Sequence, residues 1–228
     1  MAFQPDIQTR RSVARLLLDS GCVQCRTAEP FRLPSGWASP VYMDCRRLIS
    51  FPLVRRRLII LGLRLLEERG CFKGVDGVVG AEASGIAFAA WVADERSLPL
   101  HYVRKQTRGL GASSQLVGVL PQSSKLLLVD DLVAAGTSKV NFIRAIATAG
   151  ATMKDIFVIF DYGTFSVDKI LTQFGVTLHS LACWEDVLKV GQEDGDFDAV
   201  AAAELTAFLD NPSAWSAAHG GISQLDQQ

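Results

Sequence analysis

Residues 126 to 138 read LLLVDDLVAAGTS, and no other stretch of the chain narrows its possible folds so far. Four apolar residues in a row, without polar alternation, describe a strand that needs cover on both faces, as in a parallel sheet buried between layers. Asp130 and Asp131 then fall at its carboxyl end, where open α/β sheets bind ligands. Behind them Ala134, Ala135, Gly136, Thr137 and Ser138 make a small-residue turn into a helix. Its backbone N–H groups, two hydroxyls and helix dipole suit a phosphate. The acids repel that same phosphate, so they face something else, ribose hydroxyls or a divalent cation. There is no GxxxxGK and no GxGxxG here, so this is neither a Walker loop nor a dinucleotide fingerprint. A plain strand with Ser138 as helix N-cap would explain the serine, but not two consecutive acids after an apolar run.

The rest of the chain repeats the strand and helix alternation. Val13, Leu16 and Leu17 recur at helical spacing between Gln8 and Leu18, an amphipathic helix expected to lie on the main domain as a lid or a dimer element. PLVRRRLIILGLRLLEER (52–69) makes a second helix, with Pro52 in its first turn and Gly70 at its end. A strand over 75–79, a small-residue turn and an Ala-rich helix over 85–95 form one βα unit. LPLHYVRK gives another strand, and residues 106–114 read as a mobile loop. Strands recur at 125–129, 156–160 and 176–181, with helices at 138–149 and 165–174. This spacing argues an α/β fold with a central, mostly parallel sheet flanked by helices. From Phe197 on, a helix (AVAAAELTAFLD) and a polar end that frays are expected.

With 228 residues, a formal net charge of −1 and 49% hydrophobic residues, the composition fits one globular domain with a buried core. The arginines of 52–69 then read as a solvated face, and no nucleic-acid partner is expected. No apolar run is long enough for a membrane span, and the first residues lack a signal-peptide core, so no membrane association and a cytoplasmic location are expected. Cysteines 22, 25, 45, 71 and 183 are odd in number and irregularly spaced, which predicts reduced thiols rather than a disulfide framework. The lone Cys22–Cys25 pair has no second pair at metal spacing.

LLLVDDLVAAGTS is similar to the phosphoribosyl pyrophosphate (PRPP) signature of the type I phosphoribosyltransferases. FRLPSGWASPVYMDCR (31–46), VVGAEASGIAFAAWVAD (78–94) and YVRKQTRGLGASSQLVG (102–118) resemble, in order and spacing, regions of the orotate phosphoribosyltransferases. The resemblance runs from about Arg10 to Asp186. It implies the type I phosphoribosyltransferase fold as a single domain over 1–228: a small N-terminal hood that meets the base (1–50), a PRPP-binding core (51–190) and a C-terminal helical tail (191–228). It implies transfer of the phosphoribosyl group from PRPP to orotate in pyrimidine biosynthesis, with Mg²⁺. Asp130 and Asp131 would bind the ribose hydroxyls and the metal, directly or through water. Leu132, Val133 and Ala134 to Ser138 would line the 5′-phosphate, and Glu82, Ala83 and Ser84 in the turn from Ala81 to Gly85 the pyrophosphate. Arg104, Lys105 and Arg108 would close over the pyrophosphate of the neighbouring subunit of a homodimer. Orotate would meet Ser35, Gly36, Tyr42, Arg46 and Ala134.

The chain also departs from many relatives. Pro34 stands where they carry a lysine, Ser84 lies in a turn that often holds another, and Arg108 and Leu110 replace a loop lysine and histidine. SPVYMDCR matches a branch that lacks the first two lysines. Arg108 can supply charge but not a proton. Two other readings stand beside the first: transfer to a different base, and a PRPP-binding regulator with weak turnover. Arg46 is the best partner for the orotate carboxylate, against a surface pair with Asp44. Trp37 either stacks on the base or caps an apolar patch. His101 and His179 read as packed strand residues, and Trp91 and Trp184 as core.

Overall fold

Side-chain alternation builds the central sheet. The computed structural model describes residues 2–33, 35–107, 115–165 and 167–223. In chain order the elements are α1 (Ile7–Asp19), β1 (Val23–Cys25), β2 (Phe31–Arg32), β3 (Ala38–Ser39), β4 (Val41–Met43), a 3₁₀ helix (Cys45–Ser50), α2 (Pro52–Glu68), β5 (Gly77–Ala81), α3 (Ser84–Arg96), β6 (Leu100–Val103), β7 (Leu116–Val117), β8 (Lys125–Val133), α4 (Thr137–Thr148), β9 (Thr152–Asp161), α5 (Val167–Thr172), β10 (Thr177–Cys183), α6 (Trp184–Asp194), α7 (Ala199–Asp210) and α8 (Pro212–Ala218). Among the described residues the main sheet has the order β10-β9-β8-β5-β6-β7. It is parallel except for the β6–β7 edge pair.

In β8, Leu126 and Leu128 join one apolar cluster with Phe142 and Ile146 of α4 and Leu171 of α5. Leu127 and Val129 join the opposite cluster with Leu58 and Leu66 of α2 and Phe88 of α3. Ile156 and Val158 of β9 follow the first pair, and Phe157 and Ile159 the second. A period of two with both faces covered turns each strand into a continuous apolar run. The expected α/β sheet is what forms.

Several boundaries move. β5 occupies 77–81 rather than 75–79, β6 stops at Val103, and α5 covers only Val167–Thr172. β8 continues through both acids to Val133, because β9 pairs with it as far as Val133↔Asp161. α2 starts at Pro52 and leads into a positive-φ Gly70, as its breakers dictate. Pairs β1–β4 and β2–β3 form two small antiparallel ribbons in the first fifty residues. α1 is docked rather than loose: Val13, Ala14 and Leu17 are buried, and Arg10 pairs with Asp186, Arg11 with Glu193 and Arg15 with Asp196. The polar end also holds its place as far as Ser223, since Ile222 N–H donates to the Gly36 carbonyl (3.1 Å). No helix among the described residues is long and apolar enough to cross a membrane.

Candidate active site

β5 is the switch point of the sheet: the chain leaves it through α3 to β6 on one side and returns to β8 on the other. Such a point opens a crevice at the carboxyl ends of the flanking strands. The turn from Ala81 to Gly85 and the acids of β8 both lie there. Pairing between β5 and β8 stops at Gly80↔Val129, so Asp130 and Asp131 extend past the end of β5 to the start of α3.

Close backbone approach demands small residues at this junction. A Cβ on Gly85 would lie 2.6 Å from the Val129 carbonyl oxygen and 2.8 Å from Asp130 Oδ1, and one on Gly80 would lie 2.7 Å from the Ile86 Cα. The Glu82–Ala83 peptide is cis. Glu82 accepts the Lys105 backbone N–H at 2.8 Å and donates its own N–H to the Val103 carbonyl, tying the turn to the base of the following loop. Ser84 opens α3, which carries no side-chain N-cap bond.

After β8 the chain turns at Gly136, whose φ of +82° favours glycine, and whose added Cβ would meet Val167 Cγ1 at 3.0 Å. Gly136, not Ser138, is the cap residue of α4. Ser138 lies inside the helix, and no side chain caps its amides. The capping explanation of the serine therefore fails, and the end of α4 presents donors suited to an anion. Thr137 and Ser138 sit in that first turn.

The two acids are each only 7% exposed and have different partners. Asp130 Oδ2 accepts from Lys139 Nζ at 2.5 Å, and its Oδ1 accepts from the Asp131 backbone N–H at 2.9 Å. Lys139 also donates to the Leu132 carbonyl at 3.0 Å. Burial and the neighbouring Asp130 charge push the Asp131 carboxyl up to about 7, against the opposing pull of Ser84 and Lys139. Asp131 is thus a hard oxygen donor whose ionised form lacks sufficient cationic support, and it fits a divalent cation or hydroxyl donors. Lys139 itself is 2% exposed. Its position in the first turn of a helix gave no hint of this, since a lysine there ordinarily reads as solvated.

Across the crevice stands the ribbon region. Arg46 Nε donates to Asp44 Oδ1 at 2.6 Å and Nη2 to the Tyr42 hydroxyl at 3.2 Å. The pair holds the Asp44 carboxyl below its usual range. The Arg46 side chain stays 59% exposed and feels the Asp131 charge. The ion pair with Asp44 therefore exists and still leaves the guanidinium on the crevice side. Ser35 and Gly36 form the turn between β2 and β3, with Gly36 at φ +88°. Trp37 is 4% exposed and packs edge-on against Phe165 at 4.8 Å, which favours apolar packing over an open stacking platform. Its Nε1 is buried without a partner among the described residues.

Arg104 and Lys105 follow β6. Arg104 N–H donates to the Gln115 carbonyl (2.8 Å), closing the neck of the loop, and its guanidinium lies 5.8 Å from the Tyr102 ring. Arg108 and Leu110, like Pro34, lie outside the described residues. His101 and His179 are buried, 3% and 2% exposed. Trp184 is fully buried; Trp91 is half-buried beneath Arg55. All five cysteines are free thiols.

Among the described residues one cluster has metal-ligand chemistry, Cys71, Asp155 and His179, near the amino ends of β9 and β10 and thus opposite the crevice. His179 Nε2 lies 2.7 Å from Asp155 Oδ1. That is hydrogen-bond length, shorter than the roughly 3.3 Å that separates ligand atoms around tetrahedral zinc.

No family model matches the chain. Over 217 residues, 94% of this chain and 93% of the relative, it is 42% identical to an orotate phosphoribosyltransferase of Cereibacter sphaeroides. It is 41% identical over 213 residues to one of Rhizobium johnstonii, with 93% of each covered. The crystal structure of the orotate phosphoribosyltransferase of Aeropyrum pernix is similar at a TM-score of 0.69 and 29% identity, covering 82% of this chain and 99% of that one.

Proposed function

The chain belongs to the orotate phosphoribosyltransferase family, and from that premise we propose that it transfers the phosphoribosyl group of PRPP to orotate, giving orotidine 5′-monophosphate and pyrophosphate. One observation carries the reading at the site: the buried acids of β8 and the uncapped start of α4 lie within one crevice, so a phosphorylated sugar can be held at both ends.

As the bond from ribose C1 to pyrophosphate breaks, positive charge grows on the ribose and negative charge on the leaving group. Amides at Thr137 and Ser138 hold the 5′-phosphate and anchor the ribose. The carboxylate of Asp131 meets the ribose hydroxyls and stabilises the cationic ring. The turn from Ala81 to Gly85 receives the pyrophosphate, with Arg104, Lys105 and Arg108 as the cations that close over it. Asp131 is the residue fitted to hold Mg²⁺, directly or through water, and the metal would supply positive charge to offset the pyrophosphate. No covalent nucleophile is needed. Arg46, beside Tyr42, reads the carboxylate that separates orotate from uracil. In this reading the chain works as a homodimer, and the Arg104–Arg108 loop serves the partner subunit's site.

Incubation with PRPP, Mg²⁺ and each of orotate, uracil and the purine bases tests the substrate. Pyrophosphate release with orotate alone is expected; release with another base, or with none, overturns it. Arg46→Ala should raise KM for orotate at least about tenfold, the loss of a charged bidentate contact, with PRPP binding almost unchanged. Mixed dimers of Arg108→Ala and Asp131→Asn test the loop, because each hybrid has one site free of both lesions. Recovery of activity after proven subunit exchange supports a shared site, and its absence refutes one.

A further inference from the structure

Among the described residues β4 pairs with one strand only, β1, so its other edge has no strand beside it. Asp44 N–H donates to the Cys22 carbonyl at 2.8 Å, and amides alternate between the two edges of a strand, so the Met43 N–H points away from β1. Met43 is 1% exposed, and a buried amide needs an acceptor that the ribbon cannot give. The acceptor is the Tyr162 hydroxyl, 3.1 Å away and 119 residues further along the chain.

Tyr162 is the first residue past β9, and its backbone N–H donates to the Val133 carbonyl at the end of β8 (2.9 Å). One residue therefore bonds both the end of β8 and, through its side chain, the strand that leads to Arg46. Its ring is held in place: it is 3% exposed and stands edge-on to Phe160 at 5.8 Å and to Trp184 at 5.5 Å. Burial pushes the phenol well above its usual range, so the hydroxyl stays neutral. Met43 sits between Tyr42 and Asp44, the two groups that Arg46 bonds at 3.2 and 2.6 Å. Three residues beyond Tyr162, Phe165 meets Trp37 of the β2–β3 turn, a second strut from the same segment.

We propose that Tyr162 is a positioning residue for the base: by joining the end of β8 to Met43 it fixes where the Arg46 guanidinium stands across the crevice. The proposal rests on the reading above of Arg46 as the group that meets the orotate carboxylate. A side chain that is 59% exposed has little packing of its own to hold it, so its place is inherited from Tyr42 and Asp44, and theirs from Met43. Without the hydroxyl the Met43 N–H is buried and unpaired, and the simplest remedy is for β4 to shift until water reaches it. Such a shift carries Arg46 with it and leaves the start of α4 untouched. Transfer between two bound reactants is steep in their mutual orientation, so the shift is felt in orotate use.

Steady-state kinetics and calorimetric titration of PRPP, both on the full chain, test this. Tyr162→Phe should raise KM for orotate at least about tenfold while the Kd for PRPP stays within about twofold. Because Tyr162 acts through Arg46, adding Tyr162→Phe to Arg46→Ala should change KM for orotate by less than about threefold. A merely structural role would lower Tm and multiply the two losses instead. Independent losses in the double variant, or a Tyr162→Phe protein whose KM for orotate is unaltered, overturn the proposal. Should Tyr162→Phe fail to fold, the Met43 amide of the unaltered chain decides: slow hydrogen exchange supports its bond to Tyr162, and exchange at the rate of an open amide overturns it. No pyrophosphate release from orotate and PRPP by the unaltered chain, or an Arg46→Ala protein with normal orotate kinetics, would instead overturn the functional reading on which this one rests.

Discussion

Gly62 sets two general rules against each other. It lies within α2, where replacing glycine by alanine ordinarily stabilises a helix by roughly 1 kcal/mol. Here a Cβ would fall 2.2 Å from Phe157 Cζ and 2.9 Å from both Cε atoms. Phe157, on β9, is fully buried in the core that joins α2 to the sheet. To reach the 3.4 Å of ordinary contact, the ring or the helix must retreat by about 1.2 Å, in an interior packed as densely as an organic crystal. Overpacking of this kind costs about 1–3 kcal/mol and more where the neighbour cannot turn away. A ring met end-on, with both Cε atoms also in the way, cannot. We therefore expect Gly62→Ala to destabilise the protein by a net ~2 kcal/mol, or roughly 4–8 °C in Tm for a chain of this size. Urea unfolding followed by far-ultraviolet circular dichroism measures it. In the Phe157→Leu background, which removes the obstructing atoms, the same substitution should be at least about 1 kcal/mol less costly. A Gly62→Ala protein as stable as the parent, or more stable, would refute the reasoning and show that helix propensity governs this contact.

Two further outcomes follow from the site. The Asp131 carboxyl has its ordinary value of 3.8 when unfolded and is pushed up to about 7 when folded, so the fold favours its protonated form. Stability should therefore be lost as pH rises from about 4 to 7, by up to about 4 kcal/mol at roughly 1.36 kcal/mol per pH unit, and Asp131→Asn should abolish that slope in ligand-free denaturation. An identical slope in the variant would contradict the burial assigned to this acid. Ser216 Oγ accepts from the Ala38 N–H at 2.9 Å and donates to the Ile222 carbonyl at 2.6 Å. Ser216→Ala should cost about 1–3 kcal/mol, the penalty of an unpaired buried N–H, and raise KM for orotate more than for PRPP. Equal changes in both constants would argue against a local effect on the turn of Ser35 and Gly36.

What could be read from the sequence follows physical length scales. β8, β9 and β10 were legible because burial on both faces writes long apolar runs, and α2 because Pro52 and Gly70 mark its ends. β1 to β4 span two or three residues each, too few to show any period, so the ribbons were not foreseen. The crevice was legible from Asp130, Asp131 and the small residues after them, since strand-end acids and uncapped helix amides are local features. The partner of Asp130 was not. It is Lys139, whose burial is created by the packing of α4 on the sheet rather than by its neighbours in the chain. Trp37 remained open for the same reason: Phe165, which covers it, arrives from beyond β9.

The bond between Ser216 and Ala38 joins positions 178 residues apart. During synthesis the first fifty residues would leave the ribosome early, yet the turn holding Ser35, Gly36 and Trp37 could not settle until Ile222 had emerged to donate to Gly36. A nascent chain that already holds β5, β8 and α4 would then have the paired acids and the helix start of its crevice well before that turn is fixed. A frameshift or premature stop shortly before residue 216 would leave the crevice of β5, β8 and α4 in place while the turn holding Ser35, Gly36 and Trp37 lacked its partners.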